Sequence, residues 1–224
     1  MHPIVFIAAF AIEMARAQAL RLRAKSAPVF VSALLAATAS LLDAGCTNSP
    51  PNPNPRAGLP LQTVPVDLPR YMGRWYVIAN IPYVAERGFV ASRAEWTLRD
   101  DGRIDDVFIG RKGGFDGPER RYQFLDTVKP GSGGGEWSVR LFWPIHVTQL
   151  TLYVDPEYRY TILGYPGKTL GWIFARDPQI SEETYRSLLG RLDAMGYDTS
   201  RFRRVPQVPA QTGQPGFARQ DGSD

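Results

Sequence analysis

From residue 74 to residue 176 the chain alternates apolar and polar positions with a period of two, in short runs that end on Pro, Gly or Asp-Gly. The clearest run covers 89–99, where Val90, Ser92, Ala94, Trp96 and Leu98 share one face and Arg93, Glu95, Thr97 and Arg99 the other. A strand sends successive side chains to opposite faces, so one face of such a run suits a core and the other suits water. Upstream, Trp75, Val77, Ala79 and Ile81 fall on one face of a first strand that Pro82 stops. Downstream, Asp101-Gly102 predicts a type I′ hairpin, with positive φ at both central residues, and a return strand over 103–111. Further strands are expected over 119–128, 136–143, 147–155, 158–165 and 170–176, separated by glycine-rich loops, Pro144 and Asp155-Pro156-Glu157. Eight hairpin-linked strands predict an all-β, up-and-down antiparallel sheet that closes into a barrel to remove its edges. On strand count alone a two-sheet sandwich fits as well.

One helix follows. Ser181 is a good N-cap, Glu182 and Glu183 oppose the positive end of the helix dipole, and Gly196 suits the C′ position. Tyr185, Leu188, Leu189, Leu192 and Met195 recur at spacings of three and four, so the helix carries one apolar stripe and must dock, with the barrel exterior available. Residues 202–205 fit a short last strand, and 207–224 read as a flexible polar tail.

The first 65 residues read as delivery rather than fold. Residues 1–45 contain basic Arg21, Arg23 and Lys25, an apolar stretch over 27–42 and small residues before Cys46, the layout of a signal peptide. A start at Met14 gives it a conventional basic leader. Leu41-Leu42-Asp43-Ala44-Gly45-Cys46 resembles a bacterial lipobox, with Asp43 where such motifs usually carry Leu. The resemblance implies cleavage before Cys46, its lipidation and a membrane anchor. Thr47, in place of Asp, resembles the outer-membrane case. A plain secreted or soluble periplasmic protein cut after Ala37-Thr38-Ala39 is the alternative. Residues 46–65 are proline-rich and read as a semi-stiff spacer.

With Arg16, Arg21, Arg23 and Lys25 set against Glu13 and Asp43, residues 46–224 hold 22 basic and 20 acidic side chains, a net +2. The basic pI therefore says little about nucleic acid, and no nucleic-acid partner is expected. The single cysteine, Cys46, excludes an internal disulfide, and no cofactor motif is present. The glycine run over 131–135 lacks the Lys and Ser/Thr of a phosphate loop.

Gly73-x-Trp75, Glu86-Arg87-Gly88, Leu98-Arg99-Asp100-Asp101-Gly102, Asp155-x-x-Tyr158 and Trp172-Ile173-x-x-Arg176 together resemble the lipocalins, over about residues 66–206. The likeness is strongest to bacterial outer-membrane lipocalins and apolipoprotein D. It implies an eight-stranded barrel closed at one end with the helix packed outside. It also implies that Gly73, Trp75 and Arg176 close that end, Trp75 as the plug and Arg176 across it.

A barrel of this size holds one small ligand. By alternation the lining is expected to include Val77, Ala79, Trp96, Val139, Leu141 and Trp172, with Tyr122, Phe124 and Tyr153 on strands apolar on both faces. Each residue alone reads equally as core packing; the set carries the cavity. The expected ligands are fatty acids, lysophospholipids or similar amphiphiles, bound, stored or transported in the bacterial cell envelope, with a homodimer admitted. The expected place is the outer membrane, with the barrel toward the periplasm.

Catalysis is poorly supported. Only His146 lies outside the leader, and no Gly-x-Ser-x-Gly elbow accompanies it. Asp100, Asp101, Asp105 and Asp106 read as polar residues flanking a hairpin, without calcium-loop spacing. Arg93, Arg111, Arg120, Arg121 and Arg140 read as outer-face charges. An enzyme acting on a hydrophobic substrate through His146 or the 101–106 carboxylates, and a structural protein whose barrel is filled by side chains, are the alternatives.

Overall fold

The computed structural model describes residues 52–142 and 144–224, leaving aside the side chain of Phe142. The leader, Met14, the motif at 41–46 and Cys46 lie outside the described residues. A one-turn helix α1 (Leu68–Tyr71) precedes eight strands: β1 (Gly73–Asn80), β2 (Phe89–Leu98), β3 (Arg103–Lys112), β4 (Glu119–Val128), β5 (Glu136–Phe142), β6 (Ile145–Val154), β7 (Tyr160–Gly164) and β8 (Gly171–Ala175). Helix α2 (Glu182–Ala194) and a two-residue strand β9 (Arg203–Arg204) follow. Every strand from β1 to β8 pairs antiparallel with its sequence neighbour, and β1 also pairs with β8. The sheet therefore closes as a barrel; a sandwich is excluded.

The β2–β3 turn differs from its expected type. Gly102 alone takes positive φ, at 78°, Gly102 N donates to Arg99 O, and Asp101 Oδ1 accepts from Arg103 N. That is a type I turn closed by a left-handed glycine, which spares Asp101 the left-handed conformation.

Two apolar clusters share the barrel wall. The inner one fills the barrel around Trp75, Trp96, Trp137 and Phe174. The outer one lies beneath α2, where Tyr185, Leu188 and Leu192 cover Ile78, Ile162 and Ile173. Burying each such helix side chain contributes about 1.5–3 kcal/mol. Ser181 Oγ accepts from Thr184 N to start α2, and Gly196 ends it at φ 86°. The strands under α2 are apolar on both faces; all five residues of β8 are buried.

Beyond Tyr76↔Arg93 the β1–β2 pairing stops, and Ala91, at φ 50°, marks an irregularity in β2. The C-terminal segment fills the seam. Strand β9 pairs with Ala79 and Asn80, Val205 N donates to Ile78 O, and Ala91 N donates to Pro206 O. Gln207 Nε2 donates to both Val77 O and Ser92 O, 2.8 and 3.0 Å away. The start of the expected tail, at Gln207, is thus packed in the seam, because the splayed strands leave backbone groups that this segment satisfies, and further along Ala218 N donates to Arg204 O.

The proline-rich stretch, expected as a semi-stiff spacer, makes contacts with the domain from Asn52 onward. Lys168 Nζ donates to Arg56 O, Ala57 O and Leu59 O at 3.1, 2.8 and 2.6 Å, and Asn52 Nδ2 to Gly196 O. Proline removes donors but leaves carbonyls, and a buried ammonium gathers them. Among the described residues no helix is long and apolar enough to cross a membrane.

Candidate functional site

Connections alternate ends in an up-and-down barrel, so the β2–β3, β4–β5 and β6–β7 turns mark one end and the 81–88 connector and β7–β8 turn mark the other. The first end is plugged. Trp75 is fully buried, its Nε1 donates to Tyr71 O at 2.8 Å, and the Arg176 guanidinium sits 3.8 Å from its ring centroid. Arg176 donates to the carbonyls of Arg70, Tyr71, Arg74 and Tyr158. Partial burial lowers its pKa, so those four oxygens and the indole face hold a cation that has lost some water. Gly73 takes φ 95°, and a Cβ there would stand 3.4 Å from Arg176 Nη1. Tyr71 completes the layer, its ring 5.2 Å from Trp96 and 5.8 Å from Trp137, with its hydroxyl 2.8 Å from Thr161 Oγ1.

Above this layer lies a cavity of about 70 Å³. Trp96, Phe124, Val139 and Trp172 line it, as alternation predicts. Val77 and Leu141 belong to the inner cluster without reaching the void, and Tyr122 packs against that cluster with its ring 6.4 Å from Phe89 and Phe108. Ala79 and Tyr153 are corrections, since both lie in the outer cluster, Tyr153 with Arg191 4.1 Å above its ring. Irregular register between Val77 and Ala79, and between Thr151 and Tyr153, inserts a residue and reverses the alternation beyond it. Ile81, expected on the inner face, is carried outside by the same shift.

Glu86 and Asp106 line the cavity and Asp126 is buried beside Asp106, carboxyl groups that a reading by hydrophobicity passes over. Glu86, on the 81–88 connector, accepts from Tyr83 Oη, Asn80 Nδ2 and Trp172 Nε1; burial raises its pKa and the three donors oppose the rise. Asp106 lines the wall and its pKa is pushed up to about 7, chiefly by burial, with Trp96 favouring the charged form and Glu86 opposing it. Asp126 is fully buried, neither carboxyl oxygen has a hydrogen-bond partner, and burial followed by the Asp106 charge raises its pKa well above the usual range. The signal was present in the spacing: Ile104, Asp106 and Phe108 share a face, as do Tyr122, Phe124 and Asp126. Asp106 therefore belongs to the interior, while Asp101 and Asp105 pair outside with Arg103 and Arg99.

His146 is exposed, its Nδ1 3.3 Å from Ser138 Oγ, and does not line the cavity. Arg93 pairs with Glu95 and Glu119, and Arg111 donates to Gly117 O, so these two cations are engaged outside the cavity.

A family model described as a lipocalin-like domain matches residues 66–207. The chain is 33% identical over 155 residues to temperature-induced lipocalin-1 of Arabidopsis thaliana, covering 63% of this chain and 80% of that protein. It is 31% identical over 175 residues to the outer membrane lipoprotein Blc of Escherichia coli K12, covering 77% of this chain and 94% of that protein. Among solved structures, insecticyanin from the tobacco hornworm Manduca sexta superposes with a TM-score of 0.54 at 16% identity, covering 67% and 86% of the two chains. Lobster apocrustacyanin A1 superposes with a TM-score of 0.52 at 16% identity, covering 64% and 81%.

Proposed function

This chain belongs to the lipocalin family, and from that premise we propose that it binds slim single-chain amphiphiles, of the fatty-acid or lysophospholipid class, in the bacterial cell envelope. The observation that carries this reading is the aromatic and aliphatic cavity over a plugged end. Its volume of about 70 Å³ is small beside ligand pockets of about 300–1,000 Å³. A single alkyl chain suits such a channel better than a bulky ring system. The same small volume favours the competing reading, a barrel filled by its own side chains.

The setting we propose is the outer membrane, through a lipidated Cys46, with the barrel toward the periplasm. Support comes from the relative that is an outer membrane lipoprotein and from where Asn52 is held on the barrel. Asn52 is bound at the end of α2, and the next residues at Lys168 on the β7–β8 turn, which belongs to the open end. Six residue steps separate Cys46 from Asn52, a reach of about 20 Å. A barrel tethered there keeps its mouth beside the bilayer, where amphiphiles reside.

Displacement of a fluorescent fatty acid tests the binding. Trp172→Ala removes a lining ring and should weaken displacement by dodecanoate about tenfold, the equivalent of about 1.4 kcal/mol. Unchanged affinity removes Trp172 from the site.

A further inference from the structure

Asp106, which lines the cavity, and Asp126, buried beside it on the neighbouring strand, have no cationic partner that explains them. Asp126 is fully buried with both oxygens unbonded, and among the described residues no salt bridge reaches Asp106 or Asp126. The groups acting on the pair are burial, each other, Glu86 and the Trp96 indole, and none of these is a cation. The strand register makes them neighbours: Asp106 faces Phe124 and Asp126 faces Ile104, so the two Asp residues are diagonal across β3 and β4, about 7–8 Å apart. An isolated buried carboxylate is costly unless a cation or a proton compensates it.

Their surroundings suit one kind of cation. Trp96, Phe108 and Phe124 line the same cavity as Asp106, and aromatic faces attract ammonium groups while tolerating the attached carbon chain. Glu86, nearer the mouth, is already held by three donors, so the Asp106–Asp126 pair is the uncompensated part.

We infer that the Asp106–Asp126 pair is a subsite for an ammonium group, so that a long-chain amine enters head first with its alkyl chain trailing toward the mouth. This inference rests on the reading that the cavity takes single-chain amphiphiles, and it names the head group that the pair selects. An anionic head group finds no cation there among the described residues and stays at the mouth.

Three probes of equal chain length test it: dodecylamine, dodecanol and dodecanoate, each below its micelle concentration, titrated into the purified protein and followed by tryptophan fluorescence. Dodecylamine is expected to bind at least about tenfold more tightly than dodecanol, with dodecanoate weakest. In Asp106→Asn/Asp126→Asn that ratio is expected to fall to about one, with near-UV circular dichroism reporting whether the core is intact. The wild-type ranking decides the matter even where the variant does not fold. Equal or tighter binding of dodecanoate, or an amine preference that survives in a folded double variant, overturns the subsite. Dodecanol binding without amine preference overturns the subsite and leaves the amphiphile reading standing; binding of none of the three overturns both.

Discussion

Replacing Trp75 by alanine should cost far more stability than affinity. The side chain is fully buried, and removing a buried tryptophan costs about 3–5 kcal/mol in lost transfer energy and cavity. Two further losses follow from its contacts. The Arg176 guanidinium, 3.8 Å from the ring centroid, loses an aromatic face contributing about 0.5–2 kcal/mol. The Trp75 Nε1 bond to Tyr71 O is also lost, though Arg176 Nη2 still reaches that oxygen at 3.2 Å. These terms overlap, so about 4–5 kcal/mol is the expected total, a large share of a domain stability of about 5–15 kcal/mol. Urea unfolding followed by far-UV circular dichroism measures it, with dodecanol affinity measured below the transition. Trp75 does not line the cavity, so affinity should change less than about threefold while the fold persists. A loss below about 1 kcal/mol, or a stable variant that binds nothing, would refute the assignment of Trp75 to closure.

Three other outcomes follow from the same contacts. Asp106 keeps its proton to a pH of about 7 when folded but to about 3.9 when unfolded, so the stability it contributes is fully present below the lower value and lost as pH rises through the upper. Asp106→Asn should therefore flatten the fall in urea midpoint between pH 4 and pH 7; an unchanged slope contradicts the burial of that carboxyl. Lys168→Met removes the donor to three carbonyls and should expose the bond after Arg56 to trypsin, speeding cleavage by about tenfold or more; equal cleavage rates mean that the segment is held by other contacts. Gln207→Ala takes away the donor to Val77 O and Ser92 O and should lower stability by about 1–3 kcal/mol in urea unfolding; no loss means that the seam closes without it.

Most of the fold was legible because hairpin turns and two-residue alternation are local signals. The 89–99 run became β2, the Ser181 cap and apolar stripe became α2, and Trp75 met Arg176. Alternation failed where a strand is covered on both sides. Beneath α2 both faces of β1 and β6 are apolar, so nothing in the composition shows that one inserted residue turns Ala79 and Tyr153 outward. The packing of residues 52–65 and of the segment that begins at Gln207 was hidden for another reason. Those segments are held by backbone carbonyls meeting Lys168 and Gln207, and a carbonyl belongs to every residue type. Asp126 was readable from its place two residues after Phe124, but a search for apolar lining residues does not look for a carboxylate.

The central claim, that the barrel is a container for single-chain amphiphiles, is tested most directly by native mass spectrometry of the protein after equilibration with an envelope lipid extract. A single adduct, one ligand per barrel, with the mass of a single-chain amphiphile is the predicted result. A protein that emerges without any adduct, and stays so with dodecylamine, dodecanol and dodecanoate added, would show a barrel filled by its own side chains.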